Sequence, residues 1–263
     1  MKPVRLMSFN VRYDTAKDGD HNWIHRRQLV ADTIDYHDPD VVGVQEAMAH
    51  QLRELEAMLP AYAWVGDARN GAAKNGEHTA IGYRRDRFEA AETDTFWLSS
   101  TPEAPNSVGW DARHPRVATW ARLRDRPTGE GVVAMNTHLD HEGQRARREG
   151  VALALDRLAG LVDDEPAVLS GDFNCVVGGP AHRTADGYTL ADGRQLCDSR
   201  RLAPHCHGPT TTRTDFEELL PGMGIDHVFV SDDVTVTGWS AVTDRDDTHY
   251  ASDHLPLVVD CSL

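Results

Sequence analysis

Apolar positions along this chain follow two alternating rhythms. VRLMSFNVR reads as a strand, and from about Ile24 to Tyr36 the spacing becomes helical. PDVVGVQEA is a second strand, apolar at nearly every position and therefore buried on both faces. In AHQLRELEAML, Leu52, Leu55, Met58 and Leu59 share one helical face. YAWVGDA, HTAIGYRR and FEAAETDTFWLS predict successive shorter strands of an antiparallel region. RVATWARLRD alternates apolar and polar residues and meets GVVAMNTHLDH across the turn RPTGEG, which predicts a hairpin. An amphipathic helix is predicted from Gln144 to Leu161, followed by the strand AVLSGDFN. Beyond a Gly-rich and Pro-rich loop region, IDHVFVSD, VTVTGWSAV and HLPLVVDCSL are the closing strands.

No repeat, low-complexity tract or linker divides residues 1–263, so a single domain is expected. Two halves that each mix strands with covering helices predict a layered α/β sandwich, with two sheets face to face and helices outside. No apolar run approaches the ~20 residues that span a bilayer, and MKPVRLMSFN carries no signal-peptide core. A soluble protein with no membrane association is expected. Cys175, Cys197, Cys206 and Cys261 are scattered without a CxxC pair, as for reduced thiols in a cytoplasm.

Charge changes the picture of partners. The net charge is -15, from 42 acidic against 27 basic residues, and the lysines are only Lys2, Lys17 and Lys74. That set resembles the halophilic composition of salt-loving microbes, whose acidic surfaces keep them soluble. In ordinary salt such a surface repels long polyanions, whereas at molar salt the Debye length of ~3 Å leaves only local contacts to decide.

Polar residues gather where apolar runs stop. Asn10 ends the first strand, Gln45 and Glu46 the second, His138 and Asp140 the hairpin return, Asp172 and Asn174 the strand AVLSGDFN. Asp226 opens IDHVFV, and Asp253 and His254 precede the last strand. Singly, each could cap a helix or close a turn. Together they form a coherent set: hard oxygen donors from Asn10, Glu46 and Asp253 suit Mg²⁺ or Mn²⁺. Asp172 and Asn174, two apart on a strand, point the same way. His254 with Asp226 supplies an imidazole and an orienting carboxylate.

SFNVR, VVGVQE, NTHLDH, LSGDFN, IDHVFV and SDHLP, in this order, resemble the endonuclease/exonuclease/phosphatase superfamily of metal-dependent phosphoesterases, over Leu6 to Val259. The resemblance implies a four-layer α/β sandwich of the DNase-like kind, with its site at one edge of the packed sheets. It implies Asn10 as orienter of the metal-ligand glutamate and the phosphate, and Glu46 as principal Mg²⁺ ligand. His138 would touch the scissile phosphate with Asp140 in support, and Asp172 would position or deprotonate the attacking water. Asn174 would steady the phosphorane, Asp226 and His254 would form the carboxylate-imidazole pair, and Asp253 would serve the metal site or the groups around it.

Substrate choice is less legible. NWIHRR, with Trp23, Arg26 and Arg27, and VGWDARHPRVATW, with Trp110, Arg113 and Arg116, either stack and clamp a phosphorylated ligand or are core plugs and ion pairs. RARRE, Arg145 to Glu149, is the dense basic cluster and reads first as a solvated helix face. GPTTTRTDF, Gly208 to Phe216, is expected as a mobile loop at the rim. Basic DNA-embracing loops, leucine-rich repeats and a lipid-binding hairpin are absent from the sequence. The expectation is a hydrolase of a nucleotide, oligonucleotide or other small phosphodiester, with short or single-stranded nucleic acid within range and no obligate protein partner. The rivals are a phosphomonoesterase for a sugar, inositol or lipid head-group phosphate, and an inactive protein that holds a phosphorylated ligand.

Overall fold

The computed structural model describes residues 3–71 and 76–263. The first half contains β1 (Pro3–Asn10), α1 (Trp23–His37), β2 (Val41–Met48), α2 (Ala49–Met58), β3 (Tyr62–Val65), β4 (Glu77–Arg84) and β5 (Phe88–Trp97). The hairpin β6 (Val117–Asp125) and β7 (Gly131–His138) follows, then α3 (Gln144–Leu161) and β8 (Ala167–Asp172). Short elements come next: α4 (Pro180–Ala185), β9 (Leu196–Asp198), α5 (Ser199–Leu202) and β10 (Cys206–His207). The chain closes with β11 (Asp226–Ser231), β12 (Thr235–Ala241) and β13 (Leu257–Ser262).

One sheet has the order β10-β12-β13-β1-β2-β4-β3 and the other β5-β6-β7-β8-β11-β9. The four-layer α/β sandwich expected from the motifs is therefore the architecture found. Alternation along each strand builds the layers. Val4 and Leu6 of β1 enter the core between the sheets with Val132 and Ala134 of β7, Val168 of β8 and Val228 of β11. Met7 and Phe9 point the other way, against Val30 and Ile34 of α1 and Leu55 of α2. Val133 and Met135 of β7 meet Val151, Leu155 and Leu158 of α3 behind the second sheet.

Two local expectations are corrected. FEAAETDTFWLS does not continue the antiparallel region of β3 and β4; it crosses over as β5 and pairs with β6 in the second sheet. GPTTTRTDF is not a free rim loop, because Arg213 bridges to His254, Thr214 N donates to Asp253 O and Leu255 N to Thr212 O, and Thr212 and Thr214 are buried. Cys175, Cys197, Cys206 and Cys261 are free thiols. Among the described residues no helix is long and apolar enough to cross a membrane.

The space between the sheets changes chemistry along its length. Beyond Leu6 and Ala134 comes a polar layer in which Gln45 Nε2 donates to Ser8 Oγ at 3.2 Å and to Asn136 Oδ1 at 2.7 Å. Asn136 Nδ2 in turn donates to Val44 O and Ala80 O, tying the second sheet to the first. Gly43 leaves room for this layer, since a Cβ there would lie 2.8 Å from Asn136 Cγ. One step further along the same strand faces stand Asn10, His138 and Asp172.

Candidate active site

Strand register brings these groups together. His138 is paired with Asp172 across β7 and β8, and Asp226 with Asp172 across β11 and β8. Each continues the inward-facing series of its own strand: Ala134, Asn136, His138; Val168, Ser170, Asp172; Val230, Val228, Asp226. Gly171, at φ 148°, permits the close approach, because a Cβ would sit 1.9 Å from Thr137 O.

Glu46 breaks the pattern. Val42 and Val44 face the helices, so alternation alone would send Glu46 to the same side. The β2–β4 register shifts between Val44 and Ala47, and Glu46 takes φ 64°, a bulge that turns its carboxylate into the cleft. Arg12 (φ 57°) and Asn174 (φ 47°) are also left-handed, so three cleft residues hold conformations costing about 1–3 kcal/mol each.

Asn10 lies at the centre. Its Nδ2 is 3.1 Å from Glu46 Oε1, 3.0 Å from Asp172 Oδ2 and 3.4 Å from His254 Nε2. Asp172 Oδ2 is 3.5 Å from His138 Nε2 and 3.6 Å from His254 Nε2, while Asp172 Oδ1 accepts from Asn174 N at 2.8 Å. Asp226 Oδ2 is 2.9 Å from His254 Nδ1 and accepts Thr212 Oγ1. Burial, together with Asp226 and Glu46, pushes the Asp172 carboxyl up to about 7, against the pull of His254. Burial would lower His254, but Asp226, Asp172 and Asp253 raise it to about 9. His138 falls well below the ordinary imidazole range because it is buried and faces Arg116 and Arg69.

Arg213 Nη1 lies 2.6 Å from His254 Nε2 and 2.8 Å from Asp253 Oδ2. Donation by Arg213 requires a bare Nε2, whereas the surrounding carboxylates favour the imidazolium. Arg213 and His254 both line the cleft, and an anionic oxygen there would accept from the guanidinium and from a protonated imidazole.

The acidic groups fit a divalent cation. Glu46, His138 and Asp172 offer ligand atoms within 4.8 Å of one another, as do Asp172, Asp226 and His254. Burial, with Asp226 and Glu46 beside it, drives Asp172 up, and burial with Glu46 drives the nearby Glu77 up to about 7, an imbalance that a cation would relieve.

Other anticipated residues occupy different places. Asp253 is buried against Arg213, with Arg12 Nη1 at 3.9 Å, outside the two ligand clusters. Asp140 does not line the cleft; it accepts Gly143 N at 2.7 Å, Glu142 N at 3.0 Å and Arg113 N at 3.1 Å and braces Arg116 at 3.4 Å. Trp110 and Arg113 also lie outside the cleft lining, whereas Arg116 is in it. Trp23 is a core plug, with Nε1 on Glu54, and Arg26 is fully buried.

Sequence reasoning missed Arg12, Arg69, Glu77, His114 and His141, which line the 470 Å³ cleft with the groups above. Arg12 had a signal, two residues after Asn10 in SFNVR. Arg69 and Glu77 belong to segments that only the fold brings to the cleft.

A sequence profile of the Endonuclease/Exonuclease/phosphatase family matches residues 7–254. A structure of an endonuclease/exonuclease/phosphatase from Bacteroides vulgatus is 33% identical with a TM-score of 0.93, covering 100% of both chains. A mannosyl-6-phosphatase of Bacteroides thetaiotaomicron is 32% identical with a TM-score of 0.92, covering 99% of this chain and 100% of that one. Nocturnin of Drosophila melanogaster is 26% identical over 82% of this chain; the match spans 34% of nocturnin's length, about a third.

Proposed function

The chain belongs to the endonuclease/exonuclease/phosphatase family, whose members hydrolyse phosphoester bonds, and on that premise we propose that it is a divalent-metal-dependent phosphatase of hexose phosphates. The whole-length likeness to a mannosyl-6-phosphatase supports the monoester over the phosphodiester expected from the motifs. The observation that carries the reading is the cleft wall beside the catalytic groups. Arg69 Nη2 and Glu77 Oε1 stand 2.6 Å apart there, a donor beside an acceptor, both only 13–15% exposed. Arg116 has a buried Nη1 with no acceptor among the described residues, next to His141 Nδ1 at 2.8 Å from its Nη2. Such a wall reads hydroxyl groups, each of which donates and accepts. Nucleic-acid strands instead need aromatic platforms. Among the described lining residues the aromatic rings besides histidine reduce to Tyr13, which Arg12 covers at 4.5 Å.

In this reading Glu46, with Asp172 or His138 at hand, would hold Mg²⁺ or Mn²⁺, which would supply positive charge toward the phosphate. Asn10 keeps Glu46 and Asp172 in register. Asp172 orients the attacking water and takes its proton. His254, steadied by Asp226, and Arg213 hold the non-bridging oxygens, and Asn174 adds an amide donor as charge builds on them.

Purified protein with Mg²⁺ or Mn²⁺ in molar KCl is expected to release inorganic phosphate from mannose 6-phosphate, to stop with EDTA and to recover on metal addition. Cleavage of bis-p-nitrophenyl phosphate with no phosphate released from any hexose phosphate would overturn the proposal. Glu77→Gln is expected to raise KM for mannose 6-phosphate about tenfold, through the lost hydroxyl contact, with kcat/KM for p-nitrophenyl phosphate within about twofold. Equal losses on both substrates would show that Glu77 acts on the reacting centre and not on the sugar.

A further inference from the structure

Past Asn174, Met223 and Ile225 the cleft continues into a second groove of about 690 Å³. Its floor is apolar, made by Cys175, Val176, Pro180 and Met223, with Val176 44% and Met223 39% exposed. Its wall is the first turn of α3, from which Arg145, Arg147 and Arg148 line it.

These arginines are incompletely matched. Arg147 Nη1 donates to Asp140 O at 2.8 Å. Arg145 and Arg148 share one carboxylate, Glu149, at 3.7 and 3.8 Å, and among the described residues their side chains make no hydrogen bond. The carboxylate that lines the groove itself, Asp111, is used by the backbone, accepting Ala146 N at 2.7 Å and Arg145 N at 3.3 Å. A chain of net charge -15 therefore sets three guanidiniums against two carboxylates at the continuation of its candidate active site. An apolar floor under unspent guanidinium donors suits a carbon skeleton that ends in a phosphate.

We infer that the groove receives a second phosphate of the substrate, so that the preferred substrate is a sugar carrying two phosphates. The inference rests on the hexose-phosphate reading and narrows it. One phosphate reacts beside Asp172, the sugar keeps its hydroxyls toward Arg69, Glu77 and Arg116, and the other phosphate reaches past Met223 to Arg145 and Arg148.

The test is calorimetric binding of glucose 1,6-bisphosphate and glucose 6-phosphate, with Mg²⁺ present, to Asp172→Asn protein, in which substrate stays intact. The bisphosphate is expected to bind about tenfold more tightly, as two charge-assisted contacts allow. Adding Arg145→Ala and Arg148→Ala, both at exposed positions, is expected to erase that preference and leave the monophosphate Kd within about twofold. No preference with the arginines present, or equal loss for both ligands, overturns the inference. Turnover by the unsubstituted protein is read separately. Hydrolysis without an arginine-dependent preference sinks only the groove assignment, and the preference without hydrolysis sinks only the phosphatase reading.

Discussion

Asp172→Ala is expected to lower kcat on mannose 6-phosphate by about 10²–10⁴-fold, with His254→Ala inside the same range. Both side chains are almost completely buried, and Asp172 Oδ2 stands 3.6 Å from His254 Nε2, so neither loss can be made good by solvent. The Ala variant of Asp172 has a second, electrostatic consequence that places its carboxylate beside His254. The Asp172 carboxylate is among the groups that raise His254 to about 9, so in the metal-free wild type this imidazole holds its proton through neutrality and releases it as pH rises through that value. Without Asp172 the release moves to lower pH. An NMR titration of the His254 ring in metal-free protein reads this directly. An unmoved titration together with near-normal turnover would remove Asp172 from the site.

Much of this site was legible because it lies on strand faces. Period-two alternation carries Ala134, Asn136 and His138, or Val168, Ser170 and Asp172, along one side of a strand, and a polar residue at the end of an apolar series must face whatever lies at the edge of the core. Glu46 was found through its motif and not through alternation, which points it at the helices until the β2–β4 bulge turns it. Asp140 looked like a site residue because it shares NTHLDH with His138, yet its oxygens are taken by three backbone N–H groups and Arg116. Arg69 and Glu77 stayed hidden because nothing local marks them. Their meaning comes from a 2.6 Å pairing across different segments, with Glu46 and Arg116 close enough to act on Glu77 electrostatically. The expected mobility of GPTTTRTDF failed for a related reason: its composition suits a loose loop, but Thr212 is bonded to Asp226 and Thr214 to Asp253, so the site itself ties it down.

Arg26→Ala is expected to cost about 3–5 kcal/mol and to lower Tm by roughly 10 °C, larger than for a surface arginine. NWIHRR left a choice between a ligand clamp and a buried plug, and the fully buried Arg26 is a clamp on the protein itself. Its guanidinium donates to His21 O at 2.5 Å, Val11 O at 3.1 Å, Ala251 O at 2.6 Å and Arg12 O at 3.4 Å. Burial pushes its pKa down to about 10, so it remains charged at neutral pH and its hydrogen bonds stay charge-assisted. The carbonyls it gathers belong to the segment after Asn10 and the segment before Asp253, two parts of the chain far apart in sequence. Truncation takes this donor from His21 O, Val11 O and Ala251 O, while Arg12 O keeps Gln51 Nε2 at 2.8 Å, and it loosens both segments at once. Stability and catalysis should therefore fall together: kcat on mannose 6-phosphate is expected to drop well below what the unfolded fraction explains at temperatures where the variant is folded. Differential scanning calorimetry paired with kinetics on the same samples checks it. A Tm within about 2 °C of wild type would mean that the carbonyl clamp contributes little, and normal kcat in a destabilised variant would confine Arg26 to folding.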